Sequence, residues 1–259
     1  MATPTTVRFL EAQLRTYRRT WRGSVVTTFL NPILFLAAMG LGVGALVDQG
    51  SGREILEGIA YVTYLAPGLL AATTMQTGAG DSSWPVMAGM KWQRTYEAAL
   101  ATPVDVASVV LGHFGFVFFR VLFTAVVYAV VMAVMASVPL DGALLSVLPA
   151  VLTGMSFGTI VMAFTASRDG PEPLSSLYRF GIVPLFLFSG TFFPVAQLPD
   201  WLEPVAYATP LWHGVELTRA AALGLDTTIP AFISVLYLVV VAVGGAWLAI
   251  RNLDKRMVT

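Results

Sequence analysis

Six largely apolar stretches, near residues 24–47, 59–80, 106–137, 142–166, 174–195 and 228–250, divide the chain into lengths that match a lipid bilayer. A helix needs about 20 apolar residues to cross the hydrocarbon core, since each residue advances it by about 1.5 Å. The third stretch exceeds that length and is expected to tilt or project. Composition agrees: 56% of the 259 residues are hydrophobic and 12% are charged, where soluble domains carry roughly 25% charged residues. The expected fold class is an all-α integral membrane protein, one domain over 1–259 with six transmembrane helices. A net charge of zero gives no reason to expect a nucleic-acid partner. The chain has no cysteine, so thiolate-bound metals and disulfides are excluded, and no metal site is expected.

The connecting segments carry the remaining information. Arg8, Arg15, Arg18, Arg19, Arg22, Lys91, Arg94, Arg168, Arg179, Arg251, Lys255 and Arg256 fall on one side of a six-span chain, and Arg53 and Arg219 on the other. Cytoplasmic loops are enriched in Lys and Arg, so both termini are expected in the cytoplasm. Within 1–23, Val7, Leu10, Leu14, Tyr17 and Trp21 repeat at three and four residues opposite a basic face, the pattern of a helix lying in the membrane interface. The connection at 81–105 is expected in the cytosol, with a short helix over Trp92–Thr102 ended by Pro103.

Before the last span, Pro194, Pro199, Pro204 and Pro210 stand too close together for one unbroken helix. The expectation for 196–227 is an extracellular cap of short re-entrant helices. One starts at Pro199, near Asp200 and Glu203; the other is capped by Thr209 and stopped at Gly224. Phe192, Phe193, Trp201, Tyr207 and Trp212 supply the aromatic side chains that settle at headgroup level.

Three of these segments, LAPGLLA at 65–71, YEAALATPVDVASVVLG at 96–112 and FLFSGTFFPVAQLPDWLEPVAYATPLWHGVELTR at 186–219, together resemble the membrane permeases of the type 2 ABC exporter family, its nodulation-factor and drug-exporter branches above all. The resemblance implies six spans, an N-terminal interfacial helix, a cytoplasmic coupling helix between spans two and three, and re-entrant helices before span six. It also implies the bacterial cytoplasmic (inner) membrane as location. The chain departs from the family at His113, where an acidic residue often follows the glycine, so no role of that acid is carried over.

Polar residues inside the spans are the candidate sites. His113, Arg120, Thr124 and Tyr128 fall within one arc of span three. Arg120 lies about 22 Å along that helix from Asp105. A guanidinium at that depth should face protein, water or an anionic ligand, and no carboxylate is expected near mid-depth in the other spans; contact with an anionic cargo and capping of backbone carbonyls both remain open. Phe192, Phe193, His213 and Glu216 are the other pathway or gate candidates. Gly40 and Gly44, and Gly154 and Gly158, have the spacing that lets helices approach closely. GMSFG around Ser156 matches a nucleophile-elbow pattern but lacks its strand-to-helix setting, so no catalytic residue is expected.

No GxxxxGK[ST] loop occurs in the chain. ATP and Mg are therefore expected on separate ABC ATPase subunits, docked at Arg94, Tyr96, Glu97 and Pro103, with no cofactor on this chain. Tyr96 would serve as an amphipathic anchor, Glu97 as a charge for a basic partner, and Pro103 as the fixed entry to span three. The resemblance further implies a lipid bilayer around the permease and a second copy or a paralogous permease that completes it. The expected function is outward transport of a drug, a glycolipid or a lipid-linked saccharide. The rival class, a secondary transporter or channel not coupled to ATP, would favour membrane-embedded acids and inverted repeats.

Overall fold

The computed structural model describes residues 4–50, 54, 56 and 58–257. Arg53 and residues 1–3 of the expected interfacial segment lie outside the described residues. Among those described, every regular element is helical. By length and composition, four helices are long and apolar enough to cross a bilayer: α1 (Thr5–Gln49), α5 (Val106–Met135), α6 (Leu140–Ala166) and α10 (Ala231–Met257).

The helix α2 (Tyr61–Asp81) is less apolar and sits at the centre of the bundle. Leu65 through Ala72 are all buried, because glycine and alanine on several faces let neighbours approach from every side. A Cβ at Gly78 would lie 2.0 Å from the Gly154 carbonyl oxygen of α6, and one at Gly154 would lie 2.8 Å from that of Thr74. Gly154 and Gly158 are thus a close-packing stripe against α2. Gly40 fits against Val62 in a comparable way at 2.8 Å.

Side-chain contacts fix the helix directions. Thr5 meets Ser108 (Oγ to Oγ, 2.7 Å) and Tyr17 meets Phe119, so α1 and α5 run parallel. Thr63 Oγ1 donates to the Ala136 carbonyl at 2.8 Å, while Asp81 meets Arg120 near the other end, so α2 and α5 are antiparallel. Thr165 Oγ1 reaches the Ser82 carbonyl at 3.2 Å and Asn252 Nδ2 the Ala163 carbonyl at 2.9 Å, which aligns α2, α6 and α10.

Several expected boundaries move. The join between interfacial helix and first span is not a break, since α1 passes Gly23 without interruption. Its first half instead lies along the start of α5. Gly112 there leaves room for Phe9 and for the Thr6 carbonyl, 2.8 Å from where a Cβ would stand. Val7 and Trp21, on the apolar face expected to meet the membrane interface, are exposed.

The helix expected over Trp92–Thr102 is present as α4 (Thr95–Leu100), shorter at both ends, and a second helix that was not expected, α3 (Trp84–Lys91), precedes it. Pro85 starts α3, and Arg94 breaks the two apart in the left-handed region at φ 51°. The fifth apolar stretch, expected to continue to residue 195, forms α7 over 172–188 only. Pro184 cannot donate to the Phe180 carbonyl, and the turn widens to a π-helix at Tyr178–Ile182. Gly190, at φ 79°, then turns the chain out of the helix.

The cap follows the local signals closely. In α9 (Pro210–Leu223), Thr209 Oγ1 accepts from the Trp212 backbone N–H at 3.2 Å and Gly224 ends the helix at φ 68°. The helix expected from Pro199 starts one turn later, as α8 (Glu203–Tyr207). The bond that Tyr207 donates to Glu203, 2.6 Å long, pushes the phenol up to about 12. Leu211, Val215 and Arg219 of α9 are buried among the long helices, so this element plugs into the bundle.

Candidate functional site

A polar network joins four elements where the α3–α4 elbow meets the bundle. Arg120 of α5 donates from Nε to Asp81 Oδ2 at 3.1 Å. Its Nη1 donates to Tyr17 Oη at 2.8 Å and to Ser24 Oγ, and the guanidinium lies over the Tyr17 ring at 4.9 Å. One turn-pair earlier on α5, His113 Nε2 contacts the Asp81 carbonyl at 3.1 Å, and its Nδ1 lies 3.1 Å from Gln13 Nε2 and 3.4 Å from Tyr96 Oη. With Nδ1 accepting, Nε2 carries the proton and donates to Asp81. The elbow is thereby wired to α1, α2 and α5 at once.

Arg120 therefore has a carboxylate partner, contrary to the expectation that none would be near. The reason is geometric. α5 begins at Val106, about 21 Å before Arg120 along the helix, and overhangs the end of α2, so Asp81 stands level with Arg120. Residual exposures of 14% and 22% for the two side chains leave the pair partly open to water. Because the guanidinium is already satisfied by Asp81, Tyr17 and Ser24, the structure favours a strut over a cargo contact. The signal that could have found the partners is on α1: Gln13, Tyr17 and Ser24 share a face, matching the arc of His113 and Arg120.

The coupling candidates separate into two kinds. Tyr96 is only 2% exposed and packs against Phe9 with ring centroids 5.8 Å apart, so its side chain faces the bundle. Burial pushes its phenol well above the ordinary tyrosine range. Arg94 and Glu97 lie outside, paired across 3.8 Å, and Pro103 is in the exposed turn before α5. Trp84 and Trp92, at the two ends of α3, are 42% and 61% exposed.

A groove of about 480 Å³ runs between α1, α2 and α7, lined by Asn31, Phe35, Leu69, Thr73, Gln76 and Phe186. A smaller hollow continues it past Thr27 and Thr77 to Arg120. Phe192 stands against Phe35 and Phe186, with centroids at 6.1 and 5.0 Å. The other gate candidates lie elsewhere. Phe193 packs into the aromatic cap with Tyr207 and Trp212. His213 bonds Ser234 at 3.0 Å and stacks on Tyr237 at 4.2 Å, tying α9 to α10. Glu216 holds the Thr228 backbone N–H at 3.0 Å and hydroxyl at 2.8 Å, on the wall of a second cavity of about 480 Å³.

That cavity also holds a residue the sequence left unassigned. Arg219 is 6% exposed, lies over the Tyr64 ring at 3.8 Å, and donates to the carbonyls of Tyr64 (3.4 Å) and Gly190 (3.0 Å). It closes the helix end where Gly190 turns. Ser156 sits mid-helix within reach of the Leu152 and Leu238 carbonyls, at 2.8 and 2.9 Å, which makes it a tie between α6 and α10.

Comparison with known proteins agrees with this architecture. Residues 7–223 match the family described as ABC-2 type transporter. Nodulation protein J of Sinorhizobium fredii (strain NBRC 101917 / NGR234) is 30% identical over 210 residues, covering 78% of this chain and 77% of that protein. Nodulation protein J of Rhizobium meliloti (strain 1021) is 28% identical over 206 residues, 78% and 74% of the two chains. The inner membrane transport permease YadH of Escherichia coli (strain K12) is 21% identical over 214 residues, 83% and 81%. With helices long and apolar enough to cross a membrane and a family match spanning most of its length, the chain belongs to the ABC-2 type transporter family, as a transmembrane permease subunit.

Proposed function

We propose that this permease exports an amphipathic cargo, energised by separate P-loop ATPase subunits that dock on the α3–α4 elbow. The elbow carries this reading. Its outer side presents Trp92, Arg94 and Glu97, while its inner side inserts Tyr96 into the network of His113, Asp81 and Arg120. A push on a short rigid element anchored in this way reaches three long helices together, as movement of packed elements. ATP and Mg belong to the partner.

The chain crosses the membrane six times in this reading, by α1, α2, α5, α6, α7 and α10, with both termini cytoplasmic and the α8–α9 cap outside. The alternating helix directions and the clustering of arginine support it. Two copies, or one with a paralogue, face each other across the groove of α1, α2 and α7. Its mixture of Leu69, Phe35 and Phe186 with Asn31, Thr73 and Gln76 suits a cargo with both an apolar and a hydrogen-bonding part, such as a drug, a glycolipid or a lipid-linked saccharide.

The test is Trp92→Ala combined with Glu97→Lys in the purified permease–ATPase complex. Both side chains are exposed, so insertion and thermal stability should stay within about 0.5 kcal/mol of the parent. Co-purification of the ATPase and cargo-stimulated hydrolysis should fall by about tenfold or more, the effect expected of one lost anchor in an interface. Hydrolysis and co-purification equal to the parent would place the docking surface elsewhere.

A further inference from the structure

A second groove, sharing no lining residue with the first, lies between the parallel helices α6 and α10. It is shallow, about 410 Å³, and its walls are Ile160, Phe164, Val240, Val241 and Leu248. Gly244 and Gly245 divide the work of shaping it. Gly245 lets α10 close against α6, since a Cβ there would come within 2.6 Å of Thr159 Oγ1 and 2.9 Å of the Ile160 backbone nitrogen. Gly244 faces the opening and has no atom within 4 Å of that position. From Val240 to Asn252 the groove follows α10 for about 18 Å, close to the depth of one hydrocarbon leaflet, about 15 Å.

One end of the groove is polar and basic. Ser167 and Asn252 line it there. Arg168 lies with its guanidinium over the Phe164 ring at 4.5 Å, and Arg251 over the Trp247 ring at 5.4 Å. Arg256 is paired with Asp169 at 3.4 Å, but among the described residues neither Arg168 nor Arg251 is in an ion pair. Arg251 stands about 30 Å along α10 from Ala231, one hydrocarbon thickness, which puts both guanidiniums at headgroup level. An apolar slot of leaflet depth ending at two cations held on aromatic faces has the shape and charge of an anionic lipid.

We propose that this groove binds one anionic phospholipid, its acyl chain along Gly244 and its phosphate between Arg168 and Arg251. The inference requires only that α6 and α10 cross the bilayer, and it stands apart from the cargo groove and the docking elbow.

The probe is phosphatidylglycerol against phosphatidylcholine, each offered to the delipidated full-length permease and counted by native mass spectrometry. The parent should retain phosphatidylglycerol in preference to phosphatidylcholine by on the order of tenfold. Arg168→Gln with Arg251→Gln should abolish that preference, and Gly244→Leu, which fills open space, should lower retention of both lipids. A control pair on α1, Arg18→Gln with Arg19→Gln, should change nothing. Equal retention of the two lipids by the parent, or a preference untouched by the groove variants, would overturn the proposal. So would an equal loss in the control pair, which would mark a general charge effect. Dissociation of an oligomer by Gly244→Leu with lipid retention intact would reassign the groove to a protein contact and equally overturn it.

Discussion

Asp81 and Arg120 are far apart in sequence and meet at 3.1 Å with most of their surface withdrawn from water. Removing one member of a buried pair leaves the other charge uncompensated, a loss of about 3–5 kcal/mol when burial is complete. Water reaches this pair in part, so Asp81→Asn or Arg120→Gln alone should destabilise the permease by about 2–3 kcal/mol, read as a lowered Tm in detergent. The double variant should lose less than the sum, with a coupling of about 1 kcal/mol or more. Additive losses would mean the two side chains act independently, and the strut would not exist. Half of this arrangement was legible in the sequence. The seven-residue spacing of His113 and Arg120 places them on one helix face wherever the helix packs. Their partners were not legible, because Asp81 falls at the end of an apolar stretch and looks like the first residue of a loop. Only the overhang of α5 past α2 brings the carboxylate level with the guanidinium. The burial of Tyr96 was not legible for a related reason: a tyrosine on a six-residue helix has no periodicity long enough to say which side is covered.

At the scale of elements, local chemistry decides which boundaries can be read in advance. Thr209, Pro210 and Gly224 each act within one turn, as cap, first residue and stop, so the limits of α9 follow from sequence alone. Arg94 carries no such signal, since nothing short of the packing of Tyr96 forces it into a left-handed conformation. Glycine divides the same way, by what its missing side chain would meet. At Gly78 the obstacle is the Gly154 carbonyl, 2.0 Å away, and backbone cannot swing aside. Gly78→Ala should therefore separate α2 from α6 and destabilise by about 3 kcal/mol or more, at the upper end of overpacking effects. Gly23, inside α1, has nothing within 4 Å, and Gly23→Ala should stabilise by about 0.5–1 kcal/mol through helix propensity. Thermal unfolding of both variants in one detergent checks the contrast. Equal shifts would show that the α2–α6 contact is looser than it stands here.

For the whole molecule, orientation in the membrane is the most direct test, and the absence of cysteine makes it clean. A single cysteine at Thr5 should be protected from an impermeant thiol reagent in intact cells, and one at Asp226 should react; labelling at Thr5 would reverse or break the six-span arrangement. The parallel run of α1 beside α5 also has a consequence for synthesis. The helix α1 holds Gln13, Tyr17 and Ser24, whose partners His113 and Arg120 are made about a hundred residues later. At translation rates of about 5–20 residues per second, that interval lasts on the order of 5–20 seconds. During it, the arginine-rich face of α1 can rest against anionic headgroups at the membrane surface, with its polar side chains solvated there. The helix would then exchange lipid and water for protein only when α5 arrives, so assembly at this end of the molecule is paced by the ribosome.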